Sequence, residues 1–286
     1  MNMQGWDRGG MPRRTVRAGL RVVAACALAL PLMARAETVL ITGANSGIGF
    51  EFARQYAARG WNVIATHRRS APPQSLVELA AGHANVRIEE LDVTSVEQAG
   101  ALARRLAGVP IDVLINNAGV YNDRSGCDAA DEECAGDWSV ENFGKLKFAL
   151  YDTILAVNVK GPLIVSESLY ANVRASRLKK IVAISSSNGS LTGEAMPRPG
   201  IIFYRASKAA LNREMQIVAS SVKDDGVAVV MLNPGATVTE HQKNPRNYPG
   251  MLSSAETVRQ MIATIDNVSL RDSGRFLRYN GATEPW

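Results

Sequence analysis

Seven short apolar runs, separated by helix-forming stretches, constrain this chain more than any other feature. The runs are Thr38–Thr42, Asn62–Thr66, Val86–Leu91, Ile111–Asn116, Lys180–Ser185, Val227–Leu232 and Gly274–Tyr279. β-Branched residues dominate most of them, as in strands buried on both faces. Between them lie Gly47–Arg59, Val96–Leu106, Ile154–Val173 and Phe203–Val222, each of helical length. Repetition of strand, helix and strand predicts an α/β fold built on a doubly wound parallel sheet. No Gly-, Ser- or Pro-rich linker interrupts residues 37–286, which read as one domain. With 46% hydrophobic and 21% charged residues, the chain can fill a large core, which excludes a disordered or disulfide-dense molecule.

The formal net charge is +5, and its location matters more than its size. Residues 1–36 carry Arg8, Arg13, Arg14, Arg17, Arg21 and Arg35 against the single acid Asp7. In residues 37–286 acids and bases balance, so the basic character is no signature of nucleic-acid binding. Residues 1–36 read as a secretory leader: a basic region, the apolar run Val22–Met33, and the cleavage signature Ala34-Arg35-Ala36 before Glu37. The apolar run is shorter than the roughly 20 residues that span a bilayer. Arg13-Arg14 loosely resembles a twin-arginine export signal. The expected location is periplasmic or secreted, with no stable membrane span once the leader is cleaved. Two alternatives stay open: an uncleaved anchor, and a true start at Met33, which would make the protein cytoplasmic.

Cleavage would leave two of the three cysteines, Cys127 and Cys134, in the polar stretch Asp123–Asp137. They read either as one local disulfide in an oxidising compartment or as two free thiols. No second Cys or His pair has ligand spacing, so no metal site is expected.

The first strand runs into Thr42-Gly43-Ala44-Asn45-Ser46-Gly47-Ile48-Gly49. Glycines let backbone turn sharply and approach a pyrophosphate, and the helix that follows aims its first amides at that charge. Further along come Leu91-Asp92-Val93-Thr94, Asn116-Asn117-Ala118-Gly119, Asn158, Ser186, Tyr204-x3-Lys208 and Pro234-Gly235-Ala236-Thr237-Val238-Thr239. Any one of these is a weak signal; together and in this order they resemble the short-chain dehydrogenase/reductase family across nearly all of 37–286. The phrase Tyr204–Asn212, the segment Asp272–Phe276 and the ending Pro285-Trp286 resemble the C-factor-like carbonyl-reductase branch more narrowly.

The resemblance implies a Rossmann-type domain binding a nicotinamide cofactor through Gly43, Asn45, Ser46, Gly47, Ile48, Gly49, Asp92, Val93, Asn117, Ala118, Gly119, Pro234, Gly235, Thr237 and Thr239. Asp92 would lie against the adenine and Thr239 would bond the carboxamide. At the end of the second strand, where an acid would bond the ribose 2′-hydroxyl of NAD(H), no acid occurs between Asn62 and Gln74. Thr66 and Arg68, with Arg69 beside them, instead suit a 2′-phosphate. NADP(H) is therefore expected rather than NAD(H), and His67 reads as a surface side chain.

Tyr204 and Lys208 lie one helical turn apart. A free tyrosine has a pKa near ~10, and a neighbouring ammonium favours its ionised form. By resemblance, Tyr204 is the general acid, and Lys208 lowers its pKa and holds the ribose. Ser186 orients the carbonyl oxygen, with Ser185 and Ser187 as rivals, and Asn158 holds a water feeding Lys208. The Ser186–Tyr204 interval is longer than usual, through Glu194–Gly200, which would shape the substrate mouth. The expected function is hydride transfer between NADP(H) and a small carbonyl or alcohol substrate; the alternative is a non-catalytic cofactor-binding sensor or signalling protein. The resemblance also implies a homodimer or homotetramer.

Overall fold

The computed structural model describes residue 10 and residues 35–121, 139–192, 200–239 and 250–286. Most of the expected leader (residues 1–9 and 11–34), Cys127 and Cys134, and residues 194–199 of the lengthened interval Glu194–Gly200 lie outside the described residues.

The first apolar run forms β1 (Thr38–Ile41), with all four residues buried. The glycine loop leads into α1 (Gly47–Ala58), and the chain returns parallel to β1 as β2 (Asn62–His67). Then follow α2 (Gln74–Gly82), β3 (Val86–Glu90), α3 (Val96–Arg105) and β4 (Val113–Asn116). After residues 122–138 come a 3-10 turn (Ser139–Glu141), α4 (Phe148–Leu155), a π-helical turn (Ala156–Lys160), α5 (Gly161–Ser168) and α6 (Tyr170–Arg174). The remaining elements are β5 (Lys180–Ile184), α7 (Ile202–Ser221), β6 (Ala228–Asn233), β7 (Thr237–Val238), β8 (Leu252–Ser253), α8 (Ser254–Asn267) and β9 (Phe276–Arg278).

Seven strands form one sheet in the order β3-β2-β1-β4-β5-β6-β9, every adjacent pair being parallel. This is the doubly wound Rossmann-type arrangement predicted by the alternation. Successive residues of a strand face opposite sides of the sheet, and the core is correspondingly split. Val39, Ile41, Val63 and Ala65 pack with α1, α2 and α8. Leu40, Ile64 and Leu114 pack with α3, α5, α6 and α7. The strand order reverses between β1 and β4, and the crevice at the carboxyl ends of these strands is where such sheets bind ligands.

Three sequence expectations change. β3 is an edge strand with only Glu89 fully buried. Arg105 and Arg87 hold that carboxylate, so β3 carries charge where a two-sided strand would be apolar. The helix expected over Ile154–Val173 begins earlier, at Phe148, and is broken by the π turn. Pro162 lacks the N–H that would bond the carbonyl of Asn158, and a widened turn accommodates that loss. Helices α2 and α8 add to the four expected. The stretch Phe148–Ser168 is long and apolar enough to cross a membrane. However, Ile154, Val159 and Val165 are buried, as in a core helix.

Candidate active site

The loop between β1 and α1 is stitched to the segment after β4. Thr42 Oγ1 accepts the N–H groups of Asn117 (2.9 Å) and Ala118 (3.0 Å), while Asn117 Nδ2 donates to the carbonyls of Thr42 (3.0 Å) and Gly43 (3.1 Å). Two glycines make this closeness possible. A β-carbon on Gly49 would lie 2.2 Å from the Gly43 carbonyl oxygen and 2.4 Å from Asn117 Nδ2. One on Gly43, whose φ is +64°, would lie 2.9 Å from Ala118 Cα. Ser46 stands at the N-cap of α1 without a side-chain cap bond; its hydroxyl accepts from Asn45 Nδ2 instead. No capping side chain therefore competes with a phosphate for the first amides of α1. Ile48 packs against the core, which leaves its backbone as the part that can face a ligand.

At the carboxyl end of β2, Thr66 is fully buried and its Oγ1 has no hydrogen-bond partner among the described residues. Arg68 follows and is exposed. His67 is a correction: it is 4% exposed, because as the last residue of β2 it shares the sheet face of Val63 and Ala65. Its Nδ1 lacks a partner, and burial holds the imidazole below its ordinary pKa. Beyond β3, Asp92 Oδ1 accepts the N–H (2.9 Å) and hydroxyl (2.7 Å) of Thr94. Val93 is buried against Gly161, where an added β-carbon would lie 2.9 Å from Val93 Cγ2. These residues, the glycine loop and the Asn117–Gly119 segment all sit at the carboxyl ends of β1 to β4, as the sequence motifs implied. An orphaned threonine hydroxyl, an exposed arginine and a glycine cradle fit the adenosine phosphate end of a dinucleotide.

The three candidate serines separate clearly. Ser185 is buried and donates to Asn212 Oδ1 at 2.6 Å, a bond internal to the fold. Ser187 lies in the 3-10 turn Ser187–Gly189. Ser186 accepts the Asn188 N–H (3.2 Å), and its side chain faces Tyr204 closely enough to favour the ionised phenol. Burial pushes Tyr204 up to about 12, with Ser186 acting the other way. Lys208 Nζ lies 5.7 Å from the Tyr204 ring centroid and donates to the Ile184 carbonyl (2.9 Å). Burial lowers Lys208 to about 8. Burial thus favours the neutral phenol. Gly189 brings the serine turn onto α7: a β-carbon there would sit 2.6 Å from the Lys208 carbonyl carbon.

Asn158 lies in the π turn and is fully buried. Its Nδ2 donates to the Val120 carbonyl (2.7 Å) and Ser207 Oγ (3.0 Å), and its Oδ1 accepts the Val120 N–H (2.8 Å). It therefore ties the segment after β4 to α7. Gly119 lies between Asn158 and Lys208, an added β-carbon standing 3.4 Å from one and 3.8 Å from the other.

After β6, Asn233 Oδ1 accepts the Gly235 N–H (3.0 Å), and Thr237 Oγ1 donates to the Pro234 carbonyl (3.2 Å). Thr239 is half-buried and directly precedes residues 240–249. Sequence reasoning missed how the last residues brace this loop. Glu284 is buried and accepts from Asn233 Nδ2 (3.2 Å) and Arg278 Nε (2.6 Å). Tyr279 lies against Gly235. Thr192, beyond Ser186, donates both its N–H and its hydroxyl to the Trp286 carbonyl. It also missed Thr42 as a stitch, and Glu141, which accepts the Tyr204 N–H. Among the described residues, no group of three or more His, Cys, Asp or Glu side chains is gathered for a metal.

The profile of the short chain dehydrogenase family matches residues 37–249. The chain is similar to the short-chain dehydrogenase/reductase atnB of Arthrinium sp, 30% identical over 265 residues that cover 84% of this chain and 96% of that one. It is also similar to C-signal of Myxococcus xanthus, 31% identical over 186 residues, or 65% of this chain and 99% of the relative. Among solved structures, the NADPH-bound carbonyl reductase from chicken fatty liver superposes with a TM-score of 0.76 at 27% identity, covering 88% of this chain and 100% of that one.

Proposed function

The chain belongs to the short-chain dehydrogenase family, and from that premise we propose that it is an NADP(H)-dependent reductase of small carbonyl compounds with Tyr204 as general acid. The observation that carries this reading is the gathering of three side chains at one place: the Lys208 ammonium lies 5.7 Å from the Tyr204 ring, and Gly189 holds the turn opened by Ser186 directly on the backbone of Lys208. The likeness to an NADPH-bound carbonyl reductase supports the cofactor choice, as does the exposed Arg68 beside the orphaned Thr66 hydroxyl.

When bound, the reduced nicotinamide supplies a hydride to the carbonyl carbon. Ser186 donates a hydrogen bond to the carbonyl oxygen and fixes its position. Tyr204, pushed up to about 12, keeps its proton at neutral pH and transfers it to that oxygen as negative charge develops there. Lys208, near 8, is mostly protonated at pH 7 and stabilises the phenolate that remains. Arg68 and Thr66 would hold the 2′-phosphate of the cofactor.

The test is a panel of aldehydes and ketones assayed with NADPH and NADH, for the wild type and Tyr204→Phe. Wild-type turnover with NADPH is expected to fall about 10²–10⁴-fold in the variant, the range for loss of a general acid. Near-wild-type turnover in Tyr204→Phe refutes the reading. The likeness to C-signal favours a second reading, a cofactor-binding signalling protein. NADPH binding without turnover of any carbonyl would select it.

A further inference from the structure

We infer that Glu141 is a positioning residue for this reaction: its buried carboxylate fixes the first turn of α7 and thereby the place of the Tyr204 hydroxyl. The inference rests on the catalytic reading of Tyr204 given above and adds a residue that no motif contains.

Helix α7 has no local cap. Its N-cap residue, Ile201, is in the left-handed region (φ 48°, ψ 38°) and makes no side-chain cap bond. Its hydrocarbon side chain has no acceptor, and a β-branched residue with positive φ is strained. The missing acceptor comes from Glu141, 63 residues earlier, whose Oε2 takes the Tyr204 N–H at 2.9 Å. The bonded amide belongs to the very residue proposed to deliver the proton. Its carbonyl is held as well, accepting from Ser207 Oγ at 2.7 Å, while Ser207 in turn accepts from Asn158. The peptide groups on both sides of Tyr204 are therefore pinned, and swing of its side chain is limited to its own torsions.

Glu141 is itself firmly placed. It is 0% exposed. The neighbouring Val140 packs into a small core of Leu150, Ile154 and Phe203, and its carbonyl accepts the Lys147 N–H at 3.0 Å. Phe203, the residue before the tyrosine, stacks on Tyr151 with centroids 4.7 Å apart. A negative group at a helix N-terminus is favoured by the helix dipole, and a charge-assisted bond to an amide is stronger than a neutral one. The second oxygen, Oε1, has no hydrogen-bond partner among the described residues; burial raises the pKa of the carboxyl, and the Tyr204 and Phe203 amides act the other way. A fold needing only a cap would do better with a local Ser or Thr, which leaves no carboxylate oxygen stranded. Tyr121, edge-on to Tyr204 at 6.3 Å, approaches from the same side of the crevice. Among the described residues, ionisable groups near the tyrosine include Lys208 on α7, Tyr121 after β4, and Glu141.

The experiment compares Glu141→Ala, Glu141→Asp and Glu141→Gln, with Tyr204→Phe as reference. Single-turnover rate, NADPH dissociation constant and thermal midpoint are read for each. Glu141→Ala is expected to lower the rate by roughly 10–100-fold, as a displacement near 1 Å does, with NADPH affinity within about twofold of wild type. Glu141→Asp withdraws the acceptor by about 1.5 Å and should fall between Ala and wild type. Gln offers an amide oxygen at the original place and should recover most of the rate lost in Ala. A lowered thermal midpoint with an unchanged rate in Ala, or in Asp should Ala not fold, overturns the inference. So does a rate in Gln as low as that in Ala or Asp. An active Tyr204→Phe would instead overturn the catalytic reading, whereas an inactive one beside a fully active Glu141→Ala rejects the positioning role alone.

Discussion

Gly189→Ala is a sharp probe of how this fold aligns the proton donor proposed above. Gly189 ends the 3-10 turn opened by Ser186, and the turn lies directly on the backbone of α7. An added β-carbon would sit 2.6 Å from the Lys208 carbonyl carbon, 2.8 Å from its oxygen and 2.9 Å from its β-carbon. Carbon atoms pack favourably at about 3.5–4.0 Å, so turn and helix must part by roughly 1 Å. The obstacle is mostly helix backbone, which cannot rotate aside as a side chain can. Overpacking of this kind destabilises by about 1–3 kcal/mol. The functional cost should be at least comparable to the structural one. Ser186 moves with the turn, while Tyr204 and Lys208 stay with the helix, so the two hydroxyls are drawn apart by the same distance. A 1 Å misalignment of reacting groups is worth about 10²-fold in rate. Stopped-flow single turnover, with NADPH binding and urea denaturation measured in parallel, separates the two effects. The expected variant is folded, binds NADPH as the wild type does, and reduces its best carbonyl substrate about 100-fold more slowly. A rate within a fewfold of wild type would refute the claim that contact between turn and helix sets the catalytic alignment.

Arg68→Ala should weaken NADPH binding tenfold or more and leave NADH nearly untouched, since a charged hydrogen bond contributes about 1.5–3 kcal/mol; equal effects in titrations with both cofactors would place Arg68 away from the 2′-phosphate. Glu284→Ala strands Asn233 and the half-exposed Arg278. It should cost about 1–3 kcal/mol in urea unfolding and also raise KM, because Asn233 holds the Gly235 amide; unchanged stability rejects the bracing role. Lys208 titrates near 8 in the fold against 10.5 when free, so between these values the unfolded chain binds more protons and stability rises with pH. Relative to Lys208→Met, the wild type should therefore gain stability from pH 8 to pH 10, and parallel denaturation midpoints would contradict this.

The strands were legible because their burial leaves a one-dimensional trace. Leu40, Ile64 and Leu114 face one layer of helices, and Val39, Ile41 and Val63 the other, so no polar residue interrupts the run. β3 departs from this because an edge strand packs only in part, and its buried Glu89 is matched by arginines rather than by apolar neighbours. Helix α8 was open to the same analysis, since Val258, Met261, Ile262 and Ile265 recur at helical spacing and are all buried. The π turn was not open to it. Its cause is a missing donor at Pro162 together with Val93 pressing on Gly161 from 68 positions away, and period says nothing of either.

In the site, legibility follows backbone constraint. Gly43, Gly49 and Gly189 are fixed by close approaches that any β-carbon would spoil, and such positions keep a recognisable spacing. Tyr204 and Lys208 share one helix face, so their separation is itself the geometry. His67 was misjudged because the two arginines after it suggest solvent, whereas strand alternation, read one residue further, places it indoors. Glu141 and Glu284 act on partners 63 and 51 residues distant, and no local pattern links such pairs. There was nevertheless a trace of the first. The helix carrying the tyrosine opens Gly200-Ile201-Ile202-Phe203, with no Ser, Thr, Asp or Asn before it. A helix start without its own acceptor must take one from elsewhere in the chain or from water. The absent cap was the sequence's one sign that a distant group would take the place of a cap beside Tyr204.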